Sequence, residues 1–136
     1  MKTTIKGILI NPKDKTVTKV ELQKNANGSC IADIYRLIGC STFACPVEFP
    51  NGDSLYCDDE GLLKDELEGC FMFSDWNTPI VGNALILGTD DDGYSVNAKT
   101  SIPTVLENII WGNKEVAEEY RDFALSQPIV VVTDFE

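Results

Sequence analysis

The stretch Asn83-Ala84-Leu85-Ile86-Leu87 decides how this chain folds. Its residues 84–87 are apolar without interruption, which is typical of a strand that is buried on both faces. The pair Gly82-Asn83 interrupts the apolar run just before this strand, and Gly88 follows it. We therefore predict that residues 84–87 form the central strand of a sheet and that both of its faces are covered.

Two shorter apolar runs, residues 54–57 and 70–73, precede this strand and also read as strands. A turn at Pro50-Asn51-Gly52-Asp53 contains Asn-Gly, the strongest hairpin dipeptide in the chain, and a second turn covers residues 89–93. These turns and the connections between the strands carry eleven carboxylates and one base, Lys64. The centre of the chain therefore reads as a small sheet with an acidic rim.

The N-terminal region predicts an antiparallel hairpin. Residues 4–10 and 16–22 have strand character, and the turn signal Asn11-Pro12-Lys13-Asp14 separates them. Lysines on this hairpin would face solvent and protect its edge from mispairing. Residues 42–49 resume strand character, but Pro46 restricts them to an edge or a bulge because proline lacks a backbone donor.

A short helix is predicted after the hairpin. Ser29 is a plausible N-cap, and the helix runs to about Ile38 with an apolar stripe at helical spacing. Gly39 follows the predicted helix, at the position where a glycine in the left-handed conformation commonly caps the C-terminal end. We expect this helix to pack against the sheet.

The C-terminal region predicts two helices. The first starts at the N-cap Ser101 and runs towards Gly112, with an apolar face made by Val105, Leu106, Ile109 and Ile110. Asn113 caps the second, which runs to about Ser126, and residues 129–132 follow as a buried strand. The predicted fold class is α+β: a mainly antiparallel sheet with an N-terminal hairpin, one short helix, and two C-terminal helices on one face.

Length and charge limit the possible partners. With 136 residues, the chain is expected to form a single domain, residues 1–136. The net charge is −11, but residues 1–36 carry +4 whereas residues 37–136 carry −15. A field of this sign repels phosphates and attracts basic surfaces, so direct nucleic-acid binding is disfavoured. The alternative is that the acidity only confers solubility.

The cysteines indicate a reducing compartment. There are five, an odd number, and none forms a Cys-x-x-Cys pair: Cys30, Cys40, Cys45, Cys57 and Cys70. Residues 1–6 lack the apolar core of a signal peptide, and no apolar run is long enough to span a membrane. We expect a cytoplasmic protein with reduced, mostly buried thiols, and a packed position for Cys45 rather than an exposed one.

Known catalytic and metal-binding arrangements do not fit the sequence. Histidine is absent, which excludes nucleophile systems that depend on it. When Gly93 is placed at the sixth position of a calcium loop, Gly88 and Lys99 fall at the first and twelfth positions, where ligands are required. The turn carboxylates are expected to be solvated, so their pKa values would stay ordinary. We expect no cofactor, no metal site and no catalytic residue.

The remaining interpretation is an interaction surface. Carboxylates would steer a basic protein partner and an aromatic residue would anchor it. The predicted partner-binding residues are Asp58, Asp59, Glu60, Asp65, Glu66, Glu68, Asp75, Trp76, Asp90, Asp91 and Asp92. Two alternatives stay open: mimicry of the phosphate rows of DNA, and a small-ligand module or enzyme with a pocket near Trp76 and Asn83. No membrane partner is expected, and the oligomeric state is not predicted.

Four motifs carry a resemblance to a known family: residues 8–12 (Ile-Leu-Ile-Asn-Pro), residues 34–39 (Ile-Tyr-Arg-Leu-Ile-Gly), Asp59-Glu60-Gly61, and residues 83–88 (Asn-Ala-Leu-Ile-Leu-Gly). From Ile8 to about Trp111 the sequence resembles the domain-of-unknown-function family numbered 3846. The resemblance carries no functional residue. It implies a phage or mobile-element origin and hence a bacterial host cytoplasm, where small acidic proteins of this kind often inhibit host defence. The tail from Asn113 lies outside the resemblance.

Overall fold

The structure is a computed structural model that describes residues 4–24, 29–39, 43–58, 69–74, 79–91 and 94–126. The strands in these residues are β1 (Thr4–Asn11), β2 (Thr16–Gln23), β3 (Phe43–Glu48), β4 (Asp53–Asp58), β5 (Cys70–Phe73), β6 (Ile80–Val81), β7 (Ala84–Thr89), β8 (Ser95–Val96) and β9 (Ile109–Gly112). The helices are α1 (Ile31–Ile38), α2 (Ile102–Asn108) and α3 (Lys114–Ser126).

The larger sheet has the strand order β2-β1-β7-β4-β3, and β8 pairs with the end of β7. All of its pairings are antiparallel. The predicted N-terminal hairpin is present, with a register that runs from Thr4 opposite Gln23 to Asn11 opposite Thr16. The predicted α+β class with a mainly antiparallel sheet is therefore confirmed.

The central strand β7 is buried on both faces, as its sequence predicts. Ala84 and Ile86 face a core that also contains residues of the smaller sheet, whereas Leu85 and Leu87 face the core beneath α1. All four side chains are 0% exposed. The neighbouring β1 approaches so closely that a Cβ on Gly7 would lie 2.7 Å from Cδ2 of Leu87. A larger residue at that position would separate the two strands.

The edge position of β3 follows from its proline. β3 lies at the end of the strand order, and its register against β4 shifts between Ala44 and Val47, an interval that contains Pro46. A proline cannot donate a hydrogen bond to a sheet, so an irregularity at an edge strand is where it is tolerated. The sequence prediction for this strand is confirmed.

A smaller sheet with the order β6-β5-β9 packs against one face of the larger one. Phe71, Phe73 and Ile80 of the smaller sheet share a buried cluster with Ile8 and Ile86 of the larger sheet. The chain passes from β6 to β7 through Gly82, whose φ of 89° is accessible at low cost only to glycine. The two sheets thus enclose the main core between them.

The strand β9 corrects the predicted helix from Ser101 to Gly112. The helix ends at Asn108, and the next four residues pair with β5, from Ile109 opposite Phe73 to Gly112 opposite Cys70. Ile109, Ile110 and Trp111 are β-branched or aromatic, and such residues favour strands when a partner strand is available. Residues 109–112 are a short apolar run, and the periodicity of such a run fits a helix or a strand equally well. The predicted extension of the helix to Gly112 is therefore wrong.

Two side-chain caps start the C-terminal helices as predicted. Oγ of Ser101 accepts a hydrogen bond from the backbone N–H of Thr104 at 3.3 Å. Oδ1 of Asn113 accepts one from the N–H of Val116 at 3.0 Å. Each bond satisfies a donor that the first turn of a helix leaves unpaired.

The start of α1 differs slightly from the prediction. The N-cap is Cys30 and makes no side-chain cap bond, while Oγ of Ser29 accepts a hydrogen bond from the N–H of Ile31 at 3.3 Å. At the other end Gly39 has a φ of 76° and donates to the carbonyl of Tyr35, which confirms the predicted cap. The predicted strand at residues 129–132 lies outside the described residues.

Candidate functional site

The predicted partner-binding surface is described at three residues, Asp58, Asp90 and Asp91. Asp58 is half-buried, whereas Asp90 and Asp91 are exposed. The other eight predicted residues lie outside the described part of the chain: Asp59, Glu60, Asp65, Glu66, Glu68, Asp75, Trp76 and Asp92.

The structure does not bring these three carboxylates together. Asp58 ends β4, and because Cys57 pairs with Ala84, it lies beside the beginning of β7. Asp90 follows the last residue of β7. The six residues of β7 separate the two positions by about 20 Å at the usual rise per residue. Asp58 and the pair Asp90–Asp91 therefore belong to opposite ends of the larger sheet.

The end of β7 carries a group that we call the acidic tip, namely Asp90, Asp91 and Tyr94. The N–H of Asp90 donates to the carbonyl of Tyr94 at 2.9 Å, and the N–H of Tyr94 donates to Oδ1 of Asp90, also at 2.9 Å. The side chain of Tyr94 is 50% exposed. Two hydrogen bonds thus hold Tyr94, with its accessible ring, beside Asp90 at the end of β7, and Asp91 follows directly in the chain.

Asn83, which the small-ligand alternative places beside a pocket, has a structural contact. It is half-buried, and its Nδ2 donates to the carbonyl of Leu37 in α1 at 3.4 Å. The bond links the beginning of β7 to the end of that helix. Trp76, the other residue of this alternative, lies outside the described residues.

Asp53 is a buried carboxylate that the sequence places on the acidic rim. Its side chain is 0% exposed. Its carboxylate accepts the backbone N–H of Lys99 at both oxygens, at 3.0 Å for Oδ1 and 2.9 Å for Oδ2. Oδ2 also accepts the backbone N–H of Thr100 at 2.7 Å and its hydroxyl at 2.6 Å. Charge-assisted bonds of this kind are the strong ones. Asp53 therefore fixes the chain segment that connects β8 to α2.

The sequence gives one partial signal for this arrangement. Asn51-Gly52 predicts a tight turn before Asp53, and in that turn Oδ1 of Asn51 accepts from the N–H of Asp53 at 2.9 Å. The partners Lys99 and Thr100 are 46 and 47 positions away. No local pattern indicates a contact across that distance.

Two clefts border the segment that Asp53 holds, and Lys99, Thr100 and Ser101 line both. One has a volume of about 360 Å³ and is also lined by Phe49, Pro50, Asn51 and Thr104. The other has a volume of about 550 Å³ and is also lined by Lys6, Lys19, Asn97, Ala98, Ile102 and Pro103. We call the second one the lysine cleft.

The four described cysteines form no disulfide, and they differ in exposure. Cys30 and Cys70 are buried, and burial raises the pKa of each thiol. A raised pKa lowers the fraction of reactive thiolate, so these two are packing residues. Cys45, however, is exposed, which corrects the expectation of a packed core position. The edge strand β3 places it there.

The described ranges contain neither a metal-binding cluster nor a helix suited to a membrane. Among these residues, no group of three or more Cys, Asp and Glu side chains is arranged to hold a metal ion. No helix among them is long and apolar enough to cross a membrane.

The fold and these surfaces define a small, mainly antiparallel α+β protein that carries an acid-and-aromatic turn and a lysine-lined cleft. Residues 5–109 match the model of the family described as Domain of unknown function (DUF3846). The match covers more than half of the chain, so this protein belongs to that family, as the resemblance predicts. Helix α3 follows the matched region. The chain matches no curated protein and no solved structure.

Proposed function

We propose that this protein is a non-catalytic accessory protein that binds a basic protein partner through its exposed carboxylates. The observation that carries the proposal is the acidic tip: Tyr94 is half-exposed, and two hydrogen bonds hold it beside Asp90. Asp91 adds a second exposed carboxylate next to them.

The tip combines the two kinds of group that an interface needs. Tyrosine is enriched among the residues that dominate binding energy, because it buries a large ring and keeps a polar hydroxyl. Carboxylates add little affinity individually, but they steer a basic surface and fix its orientation. The charge of −15 on residues 37–136 extends the same field beyond the tip.

The partner class follows from charge complementarity. Proteins that act on nucleic acids present basic surfaces to phosphate groups, so they are natural targets for an acidic protein. A defence protein of a bacterial host is one such target, and it fits the mobile-element origin that the family resemblance implies. Mimicry of DNA is the special case in which the acidic protein occupies the nucleic-acid site itself.

The test is affinity capture from a bacterial lysate at low and at high salt, with the captured proteins identified by mass spectrometry. The double variant D90N/D91N removes both charges of the tip, while the amide oxygen at position 90 can still accept the N–H of Tyr94. The matched control E115Q/E119Q removes two exposed charges from α3.

We expect one partner that is captured at low salt, lost at high salt, and bound about 3- to 10-fold more weakly by D90N/D91N than by the control variant. Equal binding by both variants would contradict a role for the tip. A competition experiment then separates general partner binding from DNA mimicry. Duplex DNA should displace this protein from the captured partner only if the protein occupies the partner's nucleic-acid site.

A further inference from the structure

The lysine cleft concentrates positive charge on an acidic protein. The chain has 11 basic residues, and three of them, Lys6, Lys19 and Lys99, line this one cleft. All three are exposed, and no carboxylate is among the described residues that line it. The remaining lining residues are small, polar or apolar. The residues that line the cleft therefore carry positive charge, whereas the whole chain carries a net negative charge.

The hairpin register places two of the lysines on the same face. Lys19 is opposite Ile8 and Lys6 is opposite Glu21, so Lys6 and Lys19 are diagonal neighbours on adjacent strands. Ile8 belongs to the core between the sheets, and side chains two residues apart share a face, so both lysines lie on that side. Glu21 is the one acid paired with them, and it offsets part of the charge.

Two hydrogen bonds to the backbone of Lys6 position the opposite wall of the cleft. The N–H of Lys6 donates to Oδ1 of Asn97 at 2.8 Å, and the N–H of Ala98 donates to the carbonyl of Lys6 at 2.9 Å. These bonds hold the segment before α2 against β1. Because Oδ1 of Asn97 is an acceptor here, its NH₂ group is the part that can donate to a ligand.

The third lysine is positioned through Asp53. The buried carboxylate accepts the backbone N–H groups of Lys99 and Thr100, which fixes the backbone at the cleft wall. Nζ of Lys99 lies 3.4 Å from the carbonyl oxygen of Asn51, which lines the smaller cleft, so Lys99 contributes its backbone and side-chain stem to the lysine cleft while its ammonium group is directed to the smaller one. The hydrogen bonds of Asp53 are directed to the backbone and to Thr100, so its carboxylate is not presented to a ligand in the cleft.

We propose that the lysine cleft binds a small molecule that carries several phosphoryl groups. The ammonium groups of Lys6 and Lys19 belong to neighbouring side chains on one face beside the cavity, and a compact, multiply charged anion relieves the repulsion between them. Lysine suits such an anion because it acts as a point charge that can be satisfied from several directions. A cleft of about 550 Å³ has the size of a small-molecule site. This site is separate from the proposed partner surface.

A long polyanion fits the protein less well than a small one. A nucleic acid would extend past the cleft over a chain whose residues 37–136 carry a charge of −15, and its phosphates would be repelled there. A phosphorylated small molecule needs only the cleft. The same chemistry can come from a free polyphosphate or from a nucleotide, and the experiment separates these sources.

The experiment measures binding of inorganic triphosphate and of a nucleoside triphosphate to the full chain by calorimetry, in low-salt buffer without phosphate. The cleft variant is K6Q/K19Q/K99Q, which retains the backbone donors of residues 6 and 99. The matched control is K13Q/K15Q/K114Q, which lowers the net charge equally. Circular dichroism confirms that both variants are folded, and single variants replace the triple variant if it is not.

We expect the cleft variant to bind triphosphate at least about 10-fold more weakly than the natural chain, and the control to change by less than about 2-fold. A nucleoside triphosphate that binds more tightly than inorganic triphosphate identifies a nucleotide site, whereas equal affinity identifies recognition of the phosphoryl groups alone. Equal losses in both variants, no detectable binding, or tighter binding of a short single-stranded oligonucleotide would each overturn the proposal.

Discussion

Asp53 and Asp90 lie near the same end of the larger sheet, yet their environments are opposite. Asp53 pairs with Gly88 across β4 and β7, and Asp90 follows two residues later. Asp53 is 0% exposed and accepts bonds from Lys99 and Thr100, whereas Asp90 is exposed and accepts a bond from the N–H of Tyr94 in its own turn. One carboxylate therefore connects distant segments, and the other lies at the surface in a local turn.

The difference shows that carboxylates in the acidic central region have two separate roles, one structural and one at the surface. A carboxylate that satisfies buried donors is part of the fold, because its removal leaves those donors unpaired. A carboxylate that faces water contributes mainly to the field around the protein. Substitutions at this end of the sheet should therefore have very unequal effects on stability.

The largest expected effect is that of Asp53→Ala. The N–H groups of Lys99 and Thr100 would lose their acceptors in a partly buried setting, and the loss of these bonds together should cost about 3 kcal/mol in the free energy of unfolding. Urea unfolding followed by circular dichroism measures this. Asp91→Ala is the control, since an exposed carboxylate should change the value by less than about 0.5 kcal/mol. A loss below about 1 kcal/mol in Asp53→Ala would show that Asp53 does not hold this junction.

An intermediate effect is expected at Gly88, which lies between the two carboxylates. A Cβ at this position would lie 2.5 Å from the carbonyl oxygen of Asn97 and 3.3 Å from Oδ1 of Asp53. Gly88→Ala should therefore destabilise the protein by about 2 kcal/mol, because the segment that carries Asn97 must move away.

The control for Gly88 is Gly39→Ala, since no atom of the described residues lies within 4 Å of a Cβ built there. Its cost comes only from the positive φ of 76° and should be about 1 kcal/mol. Urea unfolding of both variants makes the comparison. A smaller loss in Gly88→Ala than in Gly39→Ala would mean that the junction is loosely packed.

Local patterns in the sequence predict much of the fold. The uninterrupted apolar run of residues 84–87 identifies the central strand, and Pro46 identifies an edge. Ser101, Asn113 and Gly39 mark helix ends because their capping chemistry is local. These features depend on neighbours within a few residues, which a single sequence contains.

Features that depend on tertiary contacts are not predictable in the same way. Residues 109–112 have helical spacing but form β9 because β5 offers them hydrogen bonds. Asp53 reads as a solvated turn residue, and its burial depends on Thr100, 47 positions away. Likewise Lys99 joins Lys6 and Lys19 in one cleft only through the fold. The sequence indicates which charges exist, and the topology decides which of them meet.

The smallest effect on stability is expected at the acidic tip. Asp90→Ala removes the acceptor for the N–H of Tyr94, but that donor is exposed and can bond to water instead. The loss in the free energy of unfolding should be about 0.5 kcal/mol, and Asp90→Asn should be close to neutral because it retains an acceptor oxygen. Urea unfolding of the two variants measures both values.

A loss as large as that of Asp53→Ala would remove the distinction between the two carboxylates and make the tip part of the fold. A small loss together with weaker capture of a basic partner is the combination expected of a residue kept at the surface for binding.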